Sequence, residues 1–175
     1  MVQDAPLSGV DLPVPLLIKM AKEIETVKCF KIECAQAASK LRNLVVEGGD
    51  AIEGPFDGEE GITLFADLEA GATGNMSSAM IPDLIKPVVL DYLAGEFDKS
   101  EDKYNNILPL INYENRQCGF RATKVIMKEG GVINSDFCRH PIPPLEEKTK
   151  AGLIKLIKKY DPCLLYTSDA ADDLR

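Results

Sequence analysis

The chain is poor in the residues that build metal and redox sites. It has a single histidine, His140, and five cysteines: Cys29, Cys34, Cys118, Cys138 and Cys163. No two cysteines stand in C-x-x-C spacing, and zinc sites need clustered Cys and His ligands. No metal and no cofactor is therefore expected, and the cysteines read as reduced thiols of a cytoplasmic protein. No stretch approaches the roughly 20 apolar residues of a membrane span. The sequence does not open on a basic segment followed by an apolar run, so no signal peptide is expected either. Positive charge is in deficit as well. Twenty Lys and Arg against 28 Asp and Glu give a net charge of −8, which opposes binding to nucleic acid or to an anionic membrane.

What is present is a soluble, globular balance. The 175 residues are 45% hydrophobic and 27% charged, enough for one domain with a real core. Val27 to Ile32 reads as a strand, and so do Ala51 to Phe56 and Ala72 to Met80. Between them, apolar residues recur at helical spacing: Leu16, Leu17, Met20 and Ile24 in 13–25, and Ala38, Leu41, Leu44 and Val45 in 35–47. A third helix is predicted over 59–70. With a short strand near Met1, the order is β-α-β-α-β-α-β, the pattern of a parallel α/β unit. After Ile81 the pattern changes, and 82–95, 98–116, 120–129 and 144–160 all read as helices.

Lys31 stands inside the second strand, between Phe30 and Ile32. Lysine is rarely buried without a partner or a task. Alternation places Cys29, Lys31 and Glu33 on one face, opposite Lys28, Phe30 and Ile32. A desolvated amine gives up its proton more readily, and a neutral amine attacks a ketone. The resulting iminium draws electrons from the neighbouring carbon. The local sequence equally permits a strand-end lysine that snorkels to solvent.

Four motifs in order carry a resemblance. Phe30-Lys31-Ile32-Glu33 is similar to the sixth strand of the dihydrodipicolinate synthase / N-acetylneuraminate lyase family, whose lysine forms a Schiff base. Gln3-Asp4-Ala5-Pro6 with Ser8-Gly9-Val10 resembles the fifth-strand motif. Gly71-Ala72-Thr73-Gly74-Asn75-Met76-Ser77 resembles the eighth, and Arg139-His140-Pro141 to Leu145 the segment before the last helix. The resemblance implies an α/β fold of the (β/α)8 TIM-barrel type, with only strands 5–8 present, followed by a C-terminal helical region. It implies residues 1–81 as the C-terminal half of the barrel and 82–162 as the helical region. The half that in family members binds the 2-oxo acid carboxylate is expected to be missing.

By the same resemblance the chain is a Schiff-base lyase or aldolase. It acts on pyruvate or a related 2-oxo acid, with aldehyde co-substrates, as a cytoplasmic homo-oligomer, a tetramer by family habit. Lys31 is the catalytic residue, and Gln3, Glu33, Glu59, Gly74 and Ser77 are expected to bind substrate. Gln3 stands where the family usually has a tyrosine proton relay, and the arginine of true dihydrodipicolinate synthases is absent from the following segment. True dihydrodipicolinate synthase activity is therefore not expected. For the lesser positions two readings stay open. Glu59 borders a pocket or caps a helix N-terminus, Gly74 admits substrate or fits a tight strand, and Ser77 binds substrate or satisfies backbone. Glu33 lines the pocket or merely leads out of the strand. His140 reads as structural.

Residues 163–175 resemble the translation of a sequencing-library adapter and are expected to be read-through rather than native sequence. The alternative to the enzyme is an inactive barrel homologue whose helical block mediates oligomerisation. A sugar-phosphate barrel would need a glycine-rich phosphate loop opening a helix, and none is convincing.

Overall fold

The computed structural model describes residues 1–166, so most of the suspected read-through segment lies outside the described residues. The chain forms two compact units. One comprises Met1–Ser77 and Val89–Glu101, the other Ser78–Val88 and the residues from Asp102 onward.

The first unit is α/β. Its strands are β1 (Val2–Asp4), β2 (Cys29–Ile32), β3 (Gly54–Asp57) and β4 (Gly74–Asn75), joined by α1 (Val14–Glu23), α2 (Ala37–Gly48) and α3 (Leu64–Glu69). All three strand pairs are parallel, and spatial order follows chain order. Parallel neighbours require crossover connections, and the helices supply them. Pro13 and Pro15 flank the start of α1, where missing N–H groups cost nothing. Gly49, at φ +51°, follows α2 and turns the chain out of the helix.

Alternation along β2 sorts its residues as expected. Phe30 and Ile32 are fully buried with Leu17 and Ala21 of α1 and Leu41 and Leu44 of α2. Each of the larger of these side chains contributes roughly 2 kcal/mol of hydrophobic stabilisation. Cys29 and Lys31 point the other way and are half-buried.

Three boundaries differ from the sequence expectation. The third strand starts later, at Gly54, because 49–51 form a 3-10 turn. The third helix begins at Leu64 rather than near Glu59, since Glu60 (φ +55°) and Gly61 (φ +82°) cannot belong to a right-handed helix. The fourth strand pairs only over two residues. These are the places where glycine and loop geometry overrode local propensity.

The second unit has no strand among its described residues. The helices after Ser78 are α4 (Pro82–Leu93), α5 (Phe97–Tyr113), α6 (Arg121–Glu129) and α7 (Glu147–Ile157), with a π-helical turn at Glu114–Cys118. The α4 and α5 helices each have residues in both units. Helix α6 packs on α7, burying Ala122, Val125 and Ile126 of one and Leu153 and Ile157 of the other, the spacing of an amphipathic face. Asp136 sits between Lys128 (2.8 Å) and Lys150 (2.5 Å). Their hydrogen bonds hold its carboxyl well below the usual carboxylate range. No helix among the described residues is long and apolar enough to cross a membrane.

Candidate active site

Register puts one row of residues on the sheet face away from the helices. Gln3 pairs with Lys31, Lys31 with Phe56, and Phe56 with Gly74. In-register residues of a parallel sheet share a face, so these four lie side by side. One residue on, the row Asp4, Ile32, Asp57 and Asn75 turns toward the helix layer.

Lys31 has a side chain only 15% exposed, and its Nζ lies 3.0 Å from Glu33 Oε2. Gln3 Nε2 donates to the same carboxylate oxygen at 2.5 Å. Glu33 N donates to Asp4 O at 2.8 Å, extending the β1–β2 ladder and fixing the carboxylate's root. Gly58 lets β3 come close at this level. A Cβ there would stand 2.7 Å from Ile32 O and 2.8 Å from the Glu33 Cβ, below any tolerable contact. Lys31, Glu33 and Gln3 thus form a connected amine–carboxylate–amide group at the C-terminal ends of β1 and β2, with a donor that cannot titrate at one end and a potential nucleophile at the other.

The other expected residues stand apart from this group. Glu59 is half-buried in the turn after β3, where its N–H donates to Asp57 Oδ1 at 3.3 Å. Gly74 lies in the row of Lys31, but the space its missing side chain leaves is taken by the Phe56 ring. Ser77 lies half-buried two residues beyond β4. His140 is exposed, in the loop before α7.

Two polar clusters escaped the sequence reading. At the C-terminal ends of β1 and β2 opens a cleft of about 530 Å³, lined by Pro6, Asp11, Cys34, Gln36 and Lys40 among others. Lys40 reaches Asp4 Oδ2 at 2.6 Å and Asp11 Oδ1 at 2.8 Å. Burial works against its charge, but the bonds to Asp11 and Asp4 outweigh it and push its pKa above the ordinary lysine value. Burial raises the Cys34 thiol against the pull of Lys40, so it rests as the neutral thiol and is a poor nucleophile.

The second cluster lies between β3, β4 and α3. Asp57 and Asp67 are both fully buried and hydrogen-bond to each other. Asn75 Nδ2 donates to Asp57 Oδ2, and Thr63 Oγ1 donates to Asp67 Oδ2 at 2.8 Å. Two carboxyl oxygens in direct contact must share a proton. Burial first, then the bond to and charge of Asp67, push Asp57 up to about 7. Burial also raises Asp67, the Glu59 charge adding to it. The only sequence signal was Asp57 at the end of an apolar strand.

The first unit is thus an α/β fold whose parallel sheet carries a partly buried lysine beside a carboxylate at its strand ends. The chain belongs to the dihydrodipicolinate synthetase family, whose model matches residues 1–160. It is 53% identical over 165 residues to L-2-keto-3-deoxyarabonate dehydratase from Azospirillum brasilense, covering 94% of this chain and 53% of that protein. The fold matches dihydrodipicolinate synthase from Rhodopseudomonas palustris with a TM-score of 0.80 at 25% identity, over 90% of this chain and 55% of that one. The synthase from Aquifex aeolicus gives a TM-score of 0.83 at 19% identity, over 92% and 55%. The chain therefore spans about half the length of the relatives it matches.

Proposed function

We propose that this chain supplies strands five to eight and the helical region of an eight-stranded barrel enzyme, a Schiff-base lyase that removes water from a 2-keto-3-deoxy sugar acid. The observation that carries it is the Lys31–Glu33–Gln3 group: a nucleophile, a titratable relay and a fixed amide in hydrogen-bonded sequence. The 53%-identical relative, a dehydratase of a 2-keto-3-deoxy acid, favours C–O over C–C cleavage.

The Lys31 amine adds to the C2 ketone, and the carbinolamine loses water to give an iminium. The iminium acidifies the C3 hydrogens. A base takes one of them, and the electrons move into a C2=C3 enamine. The enamine then expels the C4 hydroxyl, which leaves as water on receiving a proton. Water hydrolyses the conjugated iminium and returns the free lysine, so one molecule of water is lost overall. Glu33, within reach of the Lys31 nitrogen, is the group that accepts and returns these protons. Gln3 cannot relay a proton, and its role is to hold Glu33 by donating to it.

The substrates are small 2-oxo acids. The carboxylate anchor belongs to the half of the barrel outside this chain, and the intact enzyme is a cytoplasmic homo-oligomer. Glu59 and Ser77 border the substrate space. Borohydride reduction of the full-length enzyme with pyruvate tests the reading. A covalent adduct on Lys31, lost with Lys31→Arg together with all dehydration of 2-keto-3-deoxyarabonate, is the expected result. Turnover undiminished in Lys31→Arg would refute it. An inactive homologue would trap nothing at any lysine.

A further inference from the structure

Phe56 is the Cα partner of Lys31 on the adjacent strand, about 4.8 Å away across the sheet, and it faces the same side. Its ring does not stand off the sheet. A Cβ at Gly54 would meet the ring's Cε2 and Cζ at 3.3 Å, and a Cβ at Gly74 would meet Cδ1 and Cε1 at 3.1 and 3.2 Å. The ring therefore leans back along β3 over Gly54 and sideways over Gly74 on β4. Such contacts are tighter than most real Cβ atoms make, so a side chain at either glycine would displace the ring by a few tenths of an ångström. With both glycines the half-buried ring leans toward Gly54 and Gly74, on the side of β3 away from Lys31.

We infer that Phe56, seated on Gly54 and Gly74, sets the length of 2-oxo acid that the Lys31 site accepts. The inference rests on the Schiff-base reading and adds a specificity determinant to it. A ring face offers no hydrogen bond, so it limits the substrate by volume and leaves recognition of hydroxyls to other groups. Lifting the ring shortens the chain that fits. Trimming it lengthens the chain. Pyruvate, a three-carbon 2-oxo acid with no chain beyond C3 to reach the ring, forms the iminium without being dehydrated and serves as the internal reference.

The test uses the full-length enzyme with Gly74→Ala, Phe56→Leu and the double variant. Each is assayed by borohydride trapping of pyruvate and by kcat/KM on 2-keto-3-deoxy acids of five and six carbons, every rate read against that variant's own pyruvate trapping. Gly74→Ala is expected to lose about tenfold or more on the six-carbon acid relative to the five-carbon acid. Phe56→Leu is expected to shift about tenfold toward the six-carbon acid, the scale of one methylene in an apolar pocket. The double variant is expected to recover the ratio lost in Gly74→Ala. If Gly74→Ala does not fold, Phe56→Leu carries the test alone, since it adds no atoms. An unchanged five-to-six-carbon ratio in Phe56→Leu, with pyruvate still trapped, overturns the inference and leaves the Schiff-base reading standing. A wild-type enzyme that traps no pyruvate removes both.

Discussion

In the mechanism we propose, Glu33 takes the proton-relay part that the resemblance gives to a tyrosine at the position of Gln3. The carboxylate lies 3.0 Å from the amine, inside general acid–base reach. The amide of Gln3, 2.5 Å from the same oxygen, has no titratable proton. Replacing Glu33 with Gln keeps the size and removes the relay. The expected outcome is a kcat for dehydration lower by 10²-fold or more, while borohydride still traps pyruvate on Lys31. Steady-state turnover measured beside the trapping yield separates the two effects. A kcat within threefold of wild type would assign the relay elsewhere. The residue's place on the sheet makes the split possible: Lys31 belongs to β2 proper, and Glu33 is the first residue past its end.

The carboxyl pair Asp57–Asp67 joins three elements, β3, α3 and β4, the last through Asn75. Around it stand Thr63 on the turn into α3, Asn75 on β4 and the Glu59 backbone N–H, with the Glu59 carboxylate as the charge acting on Asp67. Burial, then Asp67, raises Asp57 from 3.8 to about 7. The folded state thus holds a proton that the unfolded chain releases above the ordinary Asp range. Stability from this pair is full below about 4, falls as pH rises, and is gone above about 7. Asp67→Asn replaces the shared proton with a permanent amide donor while still accepting from Thr63. We expect it to flatten the decline of Tm between pH 4 and 7 and to stabilise the protein by about 1 kcal/mol at pH 8. Thermal unfolding of both proteins across that range checks it, and parallel curves would count against the shared proton. By contrast, Lys40 and the buried Asp4 pin α2 to β1 as an ion pair, where removing either partner would strand a buried charge.

At the scale of the whole molecule, β1 pairs only with β2 and β4 only with β3 among the described residues, so both outer strands keep an unpaired edge. Such edges template association with other chains. Large apolar side chains also stand in solvent, with Leu7 97%, Val46 76% and Phe137 71% exposed. The 175-residue chain expressed alone is therefore expected to aggregate and to show no dehydratase activity, read by size exclusion and by turnover. A soluble, active monomer would contradict the half-barrel reading.

The sequence alone determined the alternation of strand and helix, the turn to helices after Ile81 and the amphipathic faces, because these are local periodicities of 2 and 3.6 residues. It determined as well that Lys31 and Glu33 share a face, since that too is a property of one strand. Only the tertiary structure decided what lies beside them. Gln3 reaches Glu33 from 30 residues away. Phe56 fills the space Gly74 leaves open, and Asp57 finds Asp67 rather than a cation. Each of these depends on the register of neighbouring parallel strands or on a crossover helix docking on the sheet, and neither leaves a periodic trace in the chain. The shortened α3 and the two-residue β4 have the same origin, for backbone angles at Glu60 and Gly61 and pairing at Gly74 answer to packing rather than to propensity.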